Sequence, residues 1–263
     1  MVNKVITIAQ SVKELRNCLY DWFEKKNLAN QMQDKKVLLK PNMGYPKPAP
    51  FTTSLEIIKT VVDILSEFEA QQIIIGEGST SYSNALENYE ATGLKDKLRE
   101  FNVDYLDLNA QESVKVELPN NVTHYLPKLL KEVDIRISMP VIKFYEDDNG
   151  EFFLSNTIKN FFGLPPKEKY QKNTDSAKRD SLHDDLHSSV VEIFQAVEEF
   201  APFDLYICDG TKVLVGEANV GQPKEWGKII ISDNALEADM KVLEIHNKPL
   251  PEYLRVLKLK YKK

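Results

Sequence analysis

Four short apolar runs in this chain each stop at a cluster of polar or turn-forming residues, and that repetition constrains the fold most. Val37-Leu38-Leu39-Lys40 meets Pro41-Asn42, and Ile73-Ile74-Ile75 meets Gly76-Glu77-Gly78. Leu205-Tyr206-Ile207-Cys208 meets Asp209-Gly210, and Ile229-Ile230-Ile231 meets Ser232-Asp233-Asn234. A continuous apolar run of this length reads as a strand buried on both faces, the habit of parallel sheets. Open α/β sheets bind their ligands beyond the carboxyl ends of such strands. The expected fold is therefore α/β, a mostly parallel sheet flanked by helices, with a cleft where those polar residues collect.

The intervening segments support that reading. Ser11 is placed to cap a helix reaching Lys26, with Val12, Leu15, Leu19, Trp22 and Phe23 at helical spacing. A helix over about 54–68 between strands at 37–40 and 72–75 makes a right-handed β-α-β crossover. Further strands are expected at 2–9, 103–107, 113–117, 122–126, 135–139, 204–208, 212–215 and 228–231. Helices are expected near 83–100, 155–162, 182–200, 234–246 and 251–258. Prolines 41, 46, 48 and 50 exclude helix after the 37–40 strand and stiffen that loop. Residues 166–180 are polar and lysine-rich, a candidate mobile loop or lid. The whole chain, 1–263, reads as a single α/β domain, with a second or inserted lobe over about 80–150 left open.

Composition narrows the function classes. At 42% hydrophobic and 28% charged residues, the chain is an ordinary globular one. A net charge of −6 gives no basic footprint for nucleic acid. No apolar run approaches membrane-spanning length, and no signal-peptide core precedes residue 30, so the expected location is the cytoplasm. Cys18 and Cys208 stand far apart, so this chain alone holds no iron–sulfur cluster and no cysteine-based zinc. Cys208 beside Asp209 reads as core rather than nucleophile.

The sharpest local signal is His183-Asp184-Asp185-Leu186-His187. On a continuous helix, residues four apart share a face. His183 and His187, with Asp209 or Glu77 completing the shell, make a candidate divalent-metal site. Two acids at a helix start also serve simply to complement its dipole. Gly76-Glu77-Gly78 lacks the third glycine of a dinucleotide fingerprint, because Ser81 stands there. Gly216 to Gly221 has P-loop spacing, but Gln222-Pro223 replaces the Lys-Ser/Thr pair. That loop can still offer backbone N–H groups to an anion. Lys40, Lys143 and Lys159 stand at strand ends or turns, where amines bind phosphate or carboxylate. Lysines desolvated in a cleft also act as acid or base.

The order of these pieces resembles the domain-of-unknown-function family numbered 362. The pieces are Lys40-Pro41-Asn42, Gly76-Glu77-Gly78, Asn156 to Gly163, His183, Asp209-Gly210, Gly216 to Pro223, and Ser232 to Asp239. The resemblance spans about 35–245, and its most specific part is Lys159-Asn160-Phe161-Phe162-Gly163 followed by His183 and Asp209-Gly210. It implies the α/β architecture and the site positions rather than a reaction. Many members carry a ferredoxin-like module, so an electron-transfer role here requires a separate iron–sulfur partner. Members commonly show Lys-x-His before the Lys-Asn segment, whereas Lys143 is followed here by Phe144 and Tyr145.

The expected function is an enzyme acting on a small anionic metabolite. Glu77, Asp209, His183 and Lys159 are the catalytic candidates. Lys40, Asn42, Lys143, Asn160, Gly163, Gly216 and Gly221 are the ligand-binding candidates. The rival expectations are a redox accessory protein for an iron–sulfur partner and a non-catalytic metabolite-binding protein.

Overall fold

The computed structural model describes residues 6–261 apart from Ala177 and Ala218. Residues 2–5 of the first expected strand, and Lys262 and Lys263, lie outside the described residues. From the N-terminus, β1 (Ile6–Ala9) leads through α1 (Val12–Lys25) to β2 (Lys36–Pro41), then α2 (Leu55–Glu67) and β3 (Gln72–Glu77). Next come α3 (Ala85–Ala91), α4 (Leu94–Lys97), β4 (Asp104–Asp107), the hairpin β5 (Ser113–Glu117) and β6 (Thr123–Pro127), and α5 (Leu129–Glu132). The remainder is β7 (Ile135–Met139), β8 (Val141–Glu146), β9 (Phe152–Ser155), α6 (Thr157–Asn160), α7 (Leu186–Phe200), β10 (Leu205–Val215), β11 (Gln222–Ser232), α8 (Ala235–Ile245) and α9 (Glu252–Tyr261).

The main sheet runs β1-β11-β10-β7-β2-β3-β4, with β8 beside β10 and β9 beside β8. The pairs β10–β7, β7–β2, β2–β3, β3–β4 and β10–β8 are parallel. The edge pairs β1–β11, β10–β11 and β8–β9 are antiparallel. Segment 80–150 supplies β4, β7 and β8 to this sheet, and the separate β5–β6 hairpin as well.

The alternation along β2 and β3 shows why these runs are continuously apolar. Leu38 and Ile74 enter one core, beneath α7, α8 and α9. Val37, Leu39, Ile73 and Ile75 enter the other, beneath α1 and α2. Each fully buried aliphatic side chain contributes about 1.5–3 kcal/mol, so both faces hold the sheet between helix layers. The Ser11 hydroxyl caps α1 as its sequence suggests, accepting from Glu14 N at 3.1 Å.

Several elements depart from expectation. The strands expected at 204–208 and 212–215 are one strand, β10, with a register shift between Gly210 and Lys212. β11 begins at Gln222, six residues before the expected start at 228, a stretch that sequence misses because the first half of the strand is exposed and carries no hydrophobic signal. β8 and β9 were not anticipated. Pro140 marks the point where the chain passes from β7 to β8, both alongside β10. In place of the helix expected from 155, Ser155 ends β9 and the one-turn α6 begins at Thr157, and α7 starts at Leu186 rather than 182. These extensions carry β8, β9, β10 and β11 past the carboxyl ends of the parallel strands, so they wall the region where the polar clusters collect.

Candidate active site

A cavity of about 530 Å³ opens at the carboxyl ends of β2 and β3, lined by residues of β8, α6, the 216–221 loop and the segment before α7. Of the residues singled out by sequence, Asn42, Glu77, Lys143, Lys159, Asn160, Gly163 and His183 line it. Tyr45 and Tyr145 join them, and the acidic turn after β8 forms part of the rim.

The floor is built by close backbone approach. A Cβ at Gly163 would lie 2.2 Å from Glu77 Oε1, and one at Gly78 would lie 2.1 Å from the Gly163 carbonyl oxygen. Only glycine allows these two turns to meet. Beneath them Lys40 and Glu77, both buried, form an ion pair at 2.8 Å. Glu77 also accepts from Gly78 N at 2.8 Å and Met43 N at 3.1 Å. Its oxygens are thus committed to the scaffold. Desolvation lowers the Lys40 pKa, and Glu77 opposes that shift.

α6 delivers Lys159, Asn160 and, just beyond, Phe162 and Gly163. The helix is a single turn, and Asn156 gives it no side-chain cap. Asp239 of α8 does that work instead, accepting from Thr157 N at 2.9 Å, Thr157 Oγ1 at 2.5 Å and Ile158 N at 3.4 Å. Burial raises the Asp239 pKa to about 6 despite those bonds. Asn160 Nδ2 donates to Ser138 Oγ at 2.9 Å and Lys40 O at 3.2 Å, which fixes the turn to β7 and β2.

Lys159 and His183 meet over one ring. Lys159 Nζ lies 3.2 Å from the Phe162 centroid, and the His183 ring stands edge-on to Phe162 at 5.1 Å. Among the described residues no carboxylate pairs with Lys159. Its pKa falls well below 10.5, first through desolvation and then through the charges of Arg179, Lys143 and Lys40. His183 Nδ1 lies 3.0 Å from the Arg179 carbonyl. A carbonyl only accepts, so Nδ1 carries the proton and Nε2 keeps its lone pair. Burial and the nearby Lys159 charge lower the His183 pKa. Lys143 donates to Phe51 O at 2.7 Å, and desolvation lowers its pKa to about 8.

Other expected residues fall elsewhere. His183, His187 and Asp209 do not form a metal centre. The chain turns as a 3₁₀ helix through His183, Asp185 caps α7, and the two imidazoles therefore do not share one helix face. His187 packs on Phe153 and Tyr253, accepts from Tyr253 N at Nδ1 (3.2 Å), and turns Nε2 towards Asp147 and Glu151 at 3.5 and 3.6 Å. Its donor atom clusters with those of Glu151 and Glu252 rather than with His183 or Asp209. Nδ1 is already an acceptor, so Nε2 bears the proton, which opposes metal ligation. Asp209 lies outside the cavity lining. It accepts from Ser54 N at 2.7 Å and from Thr211 N and Oγ1 at 3.0 and 2.6 Å, tying β10 to the start of α2. Gly216 and Gly221 close a loop by the Gly221 N to Glu217 O bond, and Glu217, Asn219 and Val220 between them face the cleft. Lys47 Nζ holds that loop through Asn219 O at 2.7 Å, and Asn219 Nδ2 reaches Tyr45 OH at 2.9 Å.

Two contributors were given no role in the sequence reading. Asp239, the end of the Ser232–Asp239 piece, acts on Thr157 across 82 residues of chain. Arg179, fully buried, lies in the polar segment 166–180 that reads as a candidate mobile loop or lid. That segment is anchored at both ends. Tyr170 OH accepts from Tyr125 N at 2.9 Å, and Arg179 donates to Pro165 O, Gly163 O and Asn109 Oδ1 at 2.5, 3.2 and 2.9 Å. No helix among the described residues is long and apolar enough to cross a membrane.

Comparison with curated proteins returns no match. Among solved structures, the lactate racemase apoprotein from Thermoanaerobacterium thermosaccharolyticum superposes with a TM-score of 0.54 at 13% identity, over 93% of this chain and 57% of that one. A Thermotoga maritima protein solved by structural genomics gives 0.53 at 13% identity, over 89% of this chain and 58% of that one. The chain thus spans less than three fifths of either structure, and the likeness is one of fold. The family model described as "Domain of unknown function (DUF362)" matches residues 37–244, most of the chain, and the protein belongs to that family.

Proposed function

We propose that this chain is an enzyme that binds a small carboxylate- or phosphate-bearing metabolite in the cleft and moves a proton on it. The observation that carries this reading is Lys159, an amine on the cleft floor with no carboxylate among the described residues to neutralise it. A desolvated amine is stabilised by an incoming anion. Lys143 and Lys159 would hold that anion and Asn42 would orient it, while Asn160, whose two amide protons go to Ser138 Oγ and Lys40 O, fixes the turn that presents Lys159. His183, with a lone pair on Nε2, is the candidate base, and Lys159 the candidate acid–base partner across the Phe162 ring. Glu77 and Lys40 serve as the fixed floor beneath, and Asp209 as a structural tie.

The neighbour titled lactate racemase makes a 2-hydroxy carboxylate a sensible first ligand, although fold likeness alone carries no substrate. Calorimetric titration with lactate, other small 2-substituted carboxylates and inorganic phosphate tests binding. Saturable binding by wild type, lost in Lys159→Ala and kept in Asp209→Asn, is expected. Exchange of a ligand C–H for solvent deuterium, followed by NMR, tests proton transfer. Binding with no exchange and no product would make the chain a binding protein. No binding of any anion would end the reading.

A further inference from the structure

Arg179 is a buried guanidinium without an ion-pair partner among the described residues. Its Nη2 donates to Asn109 Oδ1 at 2.9 Å, Gly163 O at 3.2 Å and Gly78 O at 3.3 Å, and its Nε to Pro165 O at 2.5 Å. All its acceptors are neutral, and Nη1 has none. Leaving such a charge buried beside neutral acceptors costs stability, because no carboxylate offsets its desolvation. Its position explains what that cost supports. The side chain lies against the two glycine turns that form the cleft floor, and the carbonyl of the same residue receives His183 Nδ1.

We infer that Arg179 is the positioning residue for Lys159 and His183. Pinned between Gly78 and Gly163, it keeps an unneutralised positive charge acting on Lys159 and holds its own carbonyl against His183 Nδ1. One side chain thereby prepares both candidate proton carriers. Among charged neighbours, Arg179 acts most strongly on Lys159, ahead of Lys143 and Lys40. Lys178 and Asp148 are the charged groups that act on His183 besides Lys159. Glu77 and Asp107 face Arg179 itself, but Glu77 is engaged by Lys40. This inference rests on the reading of the cleft as a proton-transfer site, and its test is independent of any substrate.

The test reads the pH dependence of Lys159 labelling by an amine-selective acylating reagent, quantified by peptide mass spectrometry. Wild-type Lys159 should label with a midpoint well below that of surface lysines. Arg179→Met should raise the midpoint by about one unit, a roughly tenfold loss of labelling rate near neutrality. Arg179→Lys, which restores the charge, should recover most of it. Asn109→Asp is the second variant. It keeps the guanidinium but places a carboxylate on its Nη2, and should raise the Lys159 midpoint in the same direction without emptying the site. Nitrogen NMR of wild type should show His183 protonated at Nδ1 near neutral pH. A folded Arg179→Met with unchanged Lys159 labelling would overturn the inference. So would unchanged labelling in Asn109→Asp if Arg179→Met does not fold, or a His183 protonated at Nε2. Failure of all anions to bind, with the labelling shifts intact, would instead remove the proposed function and leave the positioning role standing.

Discussion

Lys40 and Lys159 reach the same corner of the molecule and are treated in opposite ways. Lys40 comes from β2, is sealed from solvent, and is paired with Glu77, whose remaining capacity is taken by Gly78 N and Met43 N. Lys159 comes from the one-turn helix α6, faces the cavity, and has Arg179 rather than a carboxylate as its strongest charged neighbour. Both amines are desolvated. Among the described residues, only the first has its charge offset by a carboxylate. The fold thus uses one lysine as scaffold and leaves the other in electrostatic deficit, which is the condition an anionic ligand relieves.

The comparison breaks first at Glu77. Glu77→Gln removes the one carboxylate paired with Lys40 among the described residues and leaves a sealed, unpaired ammonium, so a loss of about 3–5 kcal/mol in denaturant unfolding is expected. The sign of its pH dependence follows. A lysine whose folded pKa lies below its unfolded value binds fewer protons when folded, so the variant should regain stability as pH rises through the folded pKa. An unfolding free energy equal to wild type would mean the pair is not scaffold.

Asp239 sharpens the other side, because it holds the helix that carries Lys159. Its folded pKa of about 6 exceeds the usual 3.8, so the native state binds more protons between those values. Stability should therefore fall by roughly 2–3 kcal/mol as pH rises through that window. Asp239→Asn should flatten that part of the pH–stability curve, since an amide oxygen still accepts from Thr157 N and nothing there ionises. A slope unchanged in the variant would assign the titration to another group.

How much of this contrast was legible in the sequence depends on whether the signal was local. β2 and β3 were, because a strand buried on both faces is apolar throughout, and the residues closing each run fall at the cleft by geometry. Asn42 follows by the same logic, whereas Lys143 was singled out as a residue beyond the 135–139 strand, and Asn160 and Gly163 by the short helix and by the family resemblance; all four line the cavity. The first half of β11 was not, because strands outside the core show no burial pattern. The His183–His187 spacing misled, since residues four apart share a face only if the helix includes both, and Asp185 caps α7 between them. Arg179 carried no signal as a site residue, and Asp239 entered only as the end of the Ser232–Asp239 piece, with no role assigned. Arg179 is buried only because the Gly78 and Gly163 turns leave acceptors for it, and Asp239 caps a helix from another part of the chain.

Asp209→Asn should cost about 1–2 kcal/mol, the usual range for a lost cap or buried charged acceptor, and leave anion binding intact. If binding vanished in a folded variant, Asp209 would belong with Lys159 rather than with Lys40.

The smallest expected change in stability is the most diagnostic. Lys159→Met replaces a desolvated amine over Phe162 with an apolar chain of similar length. Removing a desolvated amine that no carboxylate among the described residues offsets is neutral or stabilising, here by on the order of 1 kcal/mol at neutral pH. The same substitution should abolish anion binding. Lys143 adds a pH signature to the wild type. Its amine loses its proton through about 8, so anion affinity should decline as pH rises past that point. A scaffold lysine would behave in reverse, with stability falling on substitution and binding following only as the fold is lost. Unfolding and titration measured on the same Lys159→Met sample therefore separate the two roles, since stability and affinity must move in opposite directions if Lys159 is kept in deficit for a ligand.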